Sequence, residues 1–172
     1  MPELRRKLID TARRMAASGL NTGTAGNLSV RADAPGENGA GNGFLITPSG
    51  MDYALLQPED IVFMRLDGTY TGQRKPSSEW RFHRDLYAAR PEAGAVLHAH
   101  SPFATSLACL RRDIPAFHYM IARFGGDSLR CAHYATFGTQ ALSDAALVAM
   151  AGRRACLLAN HGMLVFGHDL DQ

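Results

Sequence analysis

The stretch Gly94-Ala95-Val96-Leu97-His98-Ala99-His100 reads as a buried strand that ends in two imidazoles. Its run of small and apolar residues suits a strand covered on both faces. Side chains two apart on a strand point to one face, so His98 and His100 emerge together at its end. Ser101-Pro102 follow at once. Serine suits a helix N-cap and proline the first helical position, so the strand runs straight into a helix that reaches about Leu110. A third imidazole, His161, stands in Asn160-His161-Gly162 between the apolar runs 155–159 and 163–166. Glu79 falls in the first turn of a helix predicted from Ser77 or Ser78 to about Arg90, with Pro91 after its end. Three neutral nitrogens and a carboxylate are a donor set for Zn²⁺. Spacing alone leaves a second reading open. A histidine on an apolar strand is ordinarily a hydrogen-bonded core residue, and His83, His118, His133 and His168 offer other trios.

Outward from this centre, helices and strands interleave without long linkers, repeats or low complexity. Leu4, Leu8, Ile9, Ala12, Met15 and Ala16 recur at helical spacing, and Gly19 offers a stop. Residues 27–32, 44–47 and 61–66 read as strands, and Asp67-Gly68 gives a tight turn. The turn-rich segment 33–43 reads as a mobile hairpin loop. A further helix is expected over about 139–150, before the two strands that flank His161. The pattern predicts one α/β layered domain over residues 1–172.

The 172 residues are 46% hydrophobic and 20% charged, enough for a packed core in one domain. The net charge of +2 comes with no basic stripe interleaved with aromatics, which argues against nucleic acid. The basic cluster Arg5, Arg6, Lys7, Arg13 and Arg14 is expected on the solvated face of the first helix. No apolar run approaches transmembrane length, and no signal-peptide core follows the N-terminus. Cys109, Cys131 and Cys156 form no CxxC and read as buried thiols in a reducing, cytoplasmic compartment.

Three turns add polar chemistry. Gly23-Thr24-Ala25-Gly26-Asn27, Thr47-Pro48-Ser49-Gly50 and Pro76-Ser77-Ser78 offer hydroxyls and backbone N–H groups of the kind that bind anions, although each alone also reads as ordinary turn chemistry. The first is neither a P-loop nor a dinucleotide fingerprint, because no Lys-Ser/Thr pair follows and it precedes a strand. In this order, the segments 19–31, 45–50, 75–83, His98-Ala99-His100, 114–122, 134–139 and Asn160-His161-Gly162 resemble the class II aldolase/adducin-head family. Any one match is weak, and together they are specific for the superfamily.

That resemblance implies a three-layer α/β/α sandwich with a largely antiparallel central sheet. It implies Zn²⁺ on His98, His100 and His161, with Glu79 as a further ligand and as acid/base. Thr24, Asn27, Ser49, Gly50, Ser77 and Ser78 fall on phosphate-binding positions. Tyr119 falls on a tyrosine that protonates the departing aldehyde oxygen across a subunit boundary, and Phe137 on the aldehyde pocket. The implied reaction is reversible cleavage of a ketose 1-phosphate, such as L-fuculose 1-phosphate or a related deoxyketose 1-phosphate, to dihydroxyacetone phosphate and a short aldehyde such as lactaldehyde. The implied assembly is a homotetramer with sites at subunit interfaces. Family members carry a further helix and tail beyond the point matched by Gln172, to which no residue here is assigned. Other chemistries on the same metal site are a 4-epimerase, a dehydratase and a decarboxylase. A non-catalytic adducin-like module would lack metal ligands, and none is missing.

Overall fold

The computed structural model describes residues 1–34 and 42–172. The hairpin-loop expectation for 33–43 therefore falls largely outside the described residues.

The first helix, α1 (Pro2–Ala17), buries Leu8, Ile9, Ala12 and Met15, one stripe of a 3.6-residue period. Pro2 opens it, and Gly19, at φ +74°, closes it in the left-handed region that glycine enters without strain. Eight strands follow: β1 (Asn27–Ala32), β2 (Gly43–Ile46), β3 (Val62–Arg65), β4 (Tyr70–Thr71), β5 (Ala95–Ala99), β6 (Cys131–Ala132), β7 (Ala155–Leu158) and β8 (Gly162–Gly167). Among the described residues three more α-helices lie between them, α2 (Trp80–Ala89), α3 (Pro102–Cys109) and α4 (Gln140–Ala149), with short 3-10 turns besides.

The strands form one open sheet in the order β4-β3-β2-β1-β5-β8-β7-β6. Every pairing is antiparallel except β6 with β7. Alternation along the strands divides the core in two. Phe44, Ile46, Val62, Met64, Val96 and Leu164 face α2 and α4, meeting Phe82, Leu86, Leu142 and Ala146. Leu28, Val30, Leu45 and Phe63 face the other way, toward Leu8, Ala12 and Met15 of α1. Helices on both faces of a mostly antiparallel sheet make the expected three layers.

Several local expectations change. The helix at 77–90 begins at Trp80, so Glu79 is its N-cap and not part of its first turn. The Ser77 hydroxyl accepts from the Glu79 N–H at 3.3 Å, a capping-type bond made in the turn ahead of the helix. Ser101 does cap α3 by position, but its hydroxyl turns to the Met163 sulfur. The basic residues of α1 are not simply solvated. Arg5 donates to the Pro58 and Ile61 carbonyls, and Arg13 to those of Tyr53, Ala54 and Leu56, which pins the helix to the segment between β2 and β3. Of the cysteines only Cys156 is buried, since Cys109 ends α3 facing solvent. No helix among the described residues is long and apolar enough to cross a membrane.

Candidate metal centre

The sheet order places β5 between β1 and β8, and this builds the site. His98 lies opposite Asn27 on one side and Leu164 on the other. His100 follows one residue past the strand. His161 sits in the tight turn between β7 and β8, where Asn160 adopts φ +56°. The loop before β1 closes from below. The Asn21 side-chain oxygen accepts from the His100 backbone N–H at 2.7 Å. Gly26 makes this approach feasible, because a Cβ there would stand 2.3 Å from the Asn21 amide nitrogen and 2.7 Å from the His98 carbonyl oxygen.

One nitrogen from each of His98, His100 and His161 lies within 4.8 Å of the others. The fully buried His98 places its Nδ1 2.8 Å from the Met163 carbonyl. A carbonyl only accepts, so Nδ1 carries the proton and Nε2 presents a bare lone pair to the cluster. His98 Nε2 is 2.9 Å from His100 Nε2 and 3.2 Å from Glu79 Oε2. Glu79 Oε1 is 3.3 Å from His161 Nε2, yet it is buried and makes no hydrogen bond. Converging lone pairs with an orphaned carboxylate oxygen are what one divalent ion would satisfy, since zinc sits about 2.0–2.2 Å from such N and O donors.

The electrostatics favour ligands in their binding forms. Burial, then the charges of His98 and His161, bring His100 down to about 4 against the opposing Glu79. Burial and His98 lower His161 in the same way. Burial alone would raise the Glu79 carboxyl, but the adjoining His98 and His161 rings and the Asn27 N–H outweigh it and take the group to about 2. At neutral pH the site therefore offers uncharged imidazoles at His100 and His161 and an ionised carboxylate at Glu79.

Of the proposed phosphate positions, two turns are brought together. Pro48 pairs with Pro76, and the Ser49 N–H donates to the Lys75 carbonyl at 3.1 Å. Ser49, Gly50 and Ser78 are exposed there and Ser77 is buried, while Thr24 is exposed on the loop before β1. Gly138 abuts the Ser78 carbonyl, which sets Phe137 beside the same turn. The Asn27 side chain is buried, and its amide donates to Glu79 Oε2 at 3.0 Å. Tyr119 is 80% exposed and its ring packs on His118 and not on the cluster. Phe137 is 63% exposed. Sequence reasoning set His83 aside as one more histidine. It is fully buried between Ser29 and Asn27, and the signal was its place four residues after Glu79 on a helix facing a strand with polar alternate positions.

Comparison with known proteins completes the picture. The profile of the family described as Class II Aldolase and Adducin N-terminal domain matches residues 6–172. The chain is 59% identical over 167 residues to the 5-methylthioribulose-1-phosphate/5-deoxyribulose-1-phosphate aldolase of Rhodospirillum rubrum, covering 97% of this chain and 72% of the relative. It is 45% identical over 170 residues to the L-fuculose phosphate aldolase of Escherichia coli, covering 99% and 75%. A solved L-fuculose 1-phosphate aldolase superposes with a TM-score of 0.90 at 43% identity, over 97% of this chain and 76% of that one.

Proposed function

The chain belongs to the class II aldolase and adducin N-terminal domain family and is a metal-dependent aldolase of ketose 1-phosphates, and from that premise we propose that it uses zinc to cleave a ketose 1-phosphate with an apolar terminus to dihydroxyacetone phosphate and a short aldehyde. The 59% relative favours 5-deoxyribulose or 5-methylthioribulose 1-phosphate over L-fuculose 1-phosphate, which the sequence reading put first. All three share a terminal group without a hydroxyl.

The observation that carries the zinc reading is the three-imidazole cluster around the unpartnered Glu79 Oε1. His98, His100 and His161 would hold the ion, with Glu79 beside it. When bound, such an ion supplies a Lewis acid for the negative charge that appears as the C3–C4 bond breaks. Glu79, ionised and buried, moves the proton at C3 and its hydroxyl, a role that needs a carboxylate in hydrogen-bond reach. The turns at Thr24, Ser49-Gly50 and Ser77-Ser78 hold the phosphate, so binding of a non-reacting group orients the reacting carbons. The second N–H of the Asn27 amide serves the same anion. Tyr119, exposed on its own chain, protonates the aldehyde oxygen at a neighbouring subunit's site, and Phe137 covers the aldehyde. The exposed Phe103, Phe117, Tyr119 and Phe137 support a homotetramer that buries them.

The test is release of dihydroxyacetone phosphate by the zinc-loaded protein from 5-deoxyribulose, 5-methylthioribulose and L-fuculose 1-phosphates. In condensation, dihydroxyacetone phosphate should react and unphosphorylated dihydroxyacetone poorly, with several short aldehydes accepted, because an apolar pocket discriminates by only about 1–3 kcal/mol. Equal reaction of the two ketones would remove the phosphate assignment. Absence of C–C cleavage with all three ketose 1-phosphates would remove the aldolase substrate reading.

A further inference from the structure

Glu79, His83 and Tyr87 succeed one another at four-residue spacing along α2 and its N-cap, and Asn27, Ser29 and Arg31 at two-residue spacing along β1. Four helical residues advance about 6 Å and two strand residues about 6.6–6.8 Å, so the two rows stay in step. Their contacts follow that match. Asn27 Nδ2 is 3.0 Å from Glu79 Oε2, and Asn27 Oδ1 is 2.6 Å from His83 Nε2. His83 Nδ1 is 2.7 Å from the Ser29 hydroxyl, which is 2.8 Å from the Tyr87 hydroxyl. Arg31 ends the row by donating to the Tyr87, Arg90 and Ala93 carbonyls. All five linked side chains, from Glu79 to Tyr87, are buried.

For an uncharged His83, which its complete burial with no acid in contact favours, only one arrangement of protons satisfies every link. An ionised carboxylate accepts, so Asn27 must turn its N–H₂ toward Glu79 and its oxygen toward His83. His83 then donates from Nε2, and its Nδ1 must accept. Ser29 donates to Nδ1, and its oxygen accepts from Tyr87. Every donor in the chain points toward Glu79. Reversing the Asn27 amide would set its oxygen against the Glu79 carboxylate, which a buried site does not tolerate.

We propose that His83, locked as the neutral Nε2–H tautomer by Ser29 and Tyr87, is a positioning residue that fixes the Asn27 amide and, through it, the plane of the Glu79 carboxylate. The proposal rests on the acid/base reading of Glu79. It makes Asn27 a bridge between the core and the reacting carbons, and it gives α2 a role in catalysis without any contact to substrate.

Two measurements test it. The first is a long-range ¹H–¹⁵N correlation spectrum of the metal-stripped protein at neutral pH, with the His83 signals assigned from their loss in His83→Gln. A neutral Nε2–H ring is expected, and an imidazolium or an Nδ1–H ring would overturn the proposal. The second compares zinc-loaded variants by kcat and KM at matched thermal stability. His83→Leu should lower kcat by about 10- to 100-fold, the usual scale for a group that orients a ligand, with little change in KM. His83→Gln should recover most of kcat, because an amide still donates to Asn27 and accepts from Ser29. Equal losses in the two variants, or an unchanged kcat in folded His83→Leu, would overturn it. Should His83→Leu fail to fold, Ser29→Ala decides, since it removes the donor that holds Nδ1 and should lower kcat, and an unchanged kcat there would overturn it. Cleavage by a wild type whose His83 is in the wrong tautomer removes this proposal alone. Absence of cleavage in a wild type with the expected tautomer removes the substrate reading and, with it, the reaction for which Glu79 is positioned.

Discussion

Replacing Gly162 with alanine asks whether the histidine cluster is held to the tolerance of a metal site. Gly162 opens β8 directly after His161, and a Cβ there would stand 2.6 Å from the Ala99 carbonyl oxygen and 2.7 Å from His100 Cδ2. Its φ is not positive, so the backbone itself accepts alanine and the conflict lies wholly with neighbours. Ordinary contact begins near 3.4 Å, so the His100 ring must retreat by about 0.7 Å and β8 must also lift away from the Ala99 carbonyl by about 0.8 Å. Metal–ligand distances tolerate only about ±0.2 Å. Either movement exceeds that, and the second also parts the Ala99–Met163 pairing beside His98. Zinc affinity is expected to fall by about 10- to 100-fold, or roughly 1.4–2.8 kcal/mol. Competition against a chromophoric chelator, starting from metal-stripped protein, reads this directly, with circular dichroism to establish that the fold persists. A folded Gly162→Ala variant that binds zinc as tightly as the wild type would refute the steric reasoning and the placement of His100 in the cluster.

Three further outcomes are expected. Glu79→Gln should keep phosphate-ligand binding while turnover falls by roughly 10²-fold or more, and near-normal turnover would move the proton handling elsewhere. Burial, with the charge of His98, holds His83 at about 3 instead of the usual 6.5, so its stabilising contribution is complete above pH 6.5 and is lost as pH falls from there toward 3. In urea melts of metal-stripped protein, going from about pH 7.5 to about pH 5 should cost the wild type about 2 kcal/mol more than it costs His83→Gln, and equal pH slopes would contradict a buried neutral imidazole. If Tyr119 acts across a boundary, light scattering at assay concentrations should find a tetramer, and a fully active monomer would exclude that role.

The sequence made the centre of the fold legible because period-two alternation and the Ser-Pro signal are strong there. The strand carrying His98, β1 and the pair around His161 lie where the pattern placed them, within a residue or so. Two-residue strands such as β4 and β6 have no period to read, and the short 3-10 helix at Tyr119–Phe124 has no amphipathic stripe long enough to recognise. The parallel β6–β7 pairing followed them out of view. Glu79 was found as a residue but placed one or two helical positions too far in, because the serines form a separate turn before the helix and no sequence signal separates that turn from the helix itself. The bond between Asn27 and Glu79 was beyond reach for another reason. It depends on β1 lying next to β5 and under α2, a pairing of distant segments that no local pattern encodes.

That sheet order also governs how the chain can assemble as it is made. β1, β2 and β3 are near in sequence and can pair as they emerge, but the other edge of β1 must wait for β5, and β5 must wait for β8. Until then a strand destined for the middle of the sheet is an open edge with unpaired N–H and C=O groups, the kind that templates association with other chains. Asn27 and Ser29 lie on that strand, and their side chains find partners only once Glu79, His83 and Tyr87 dock over them.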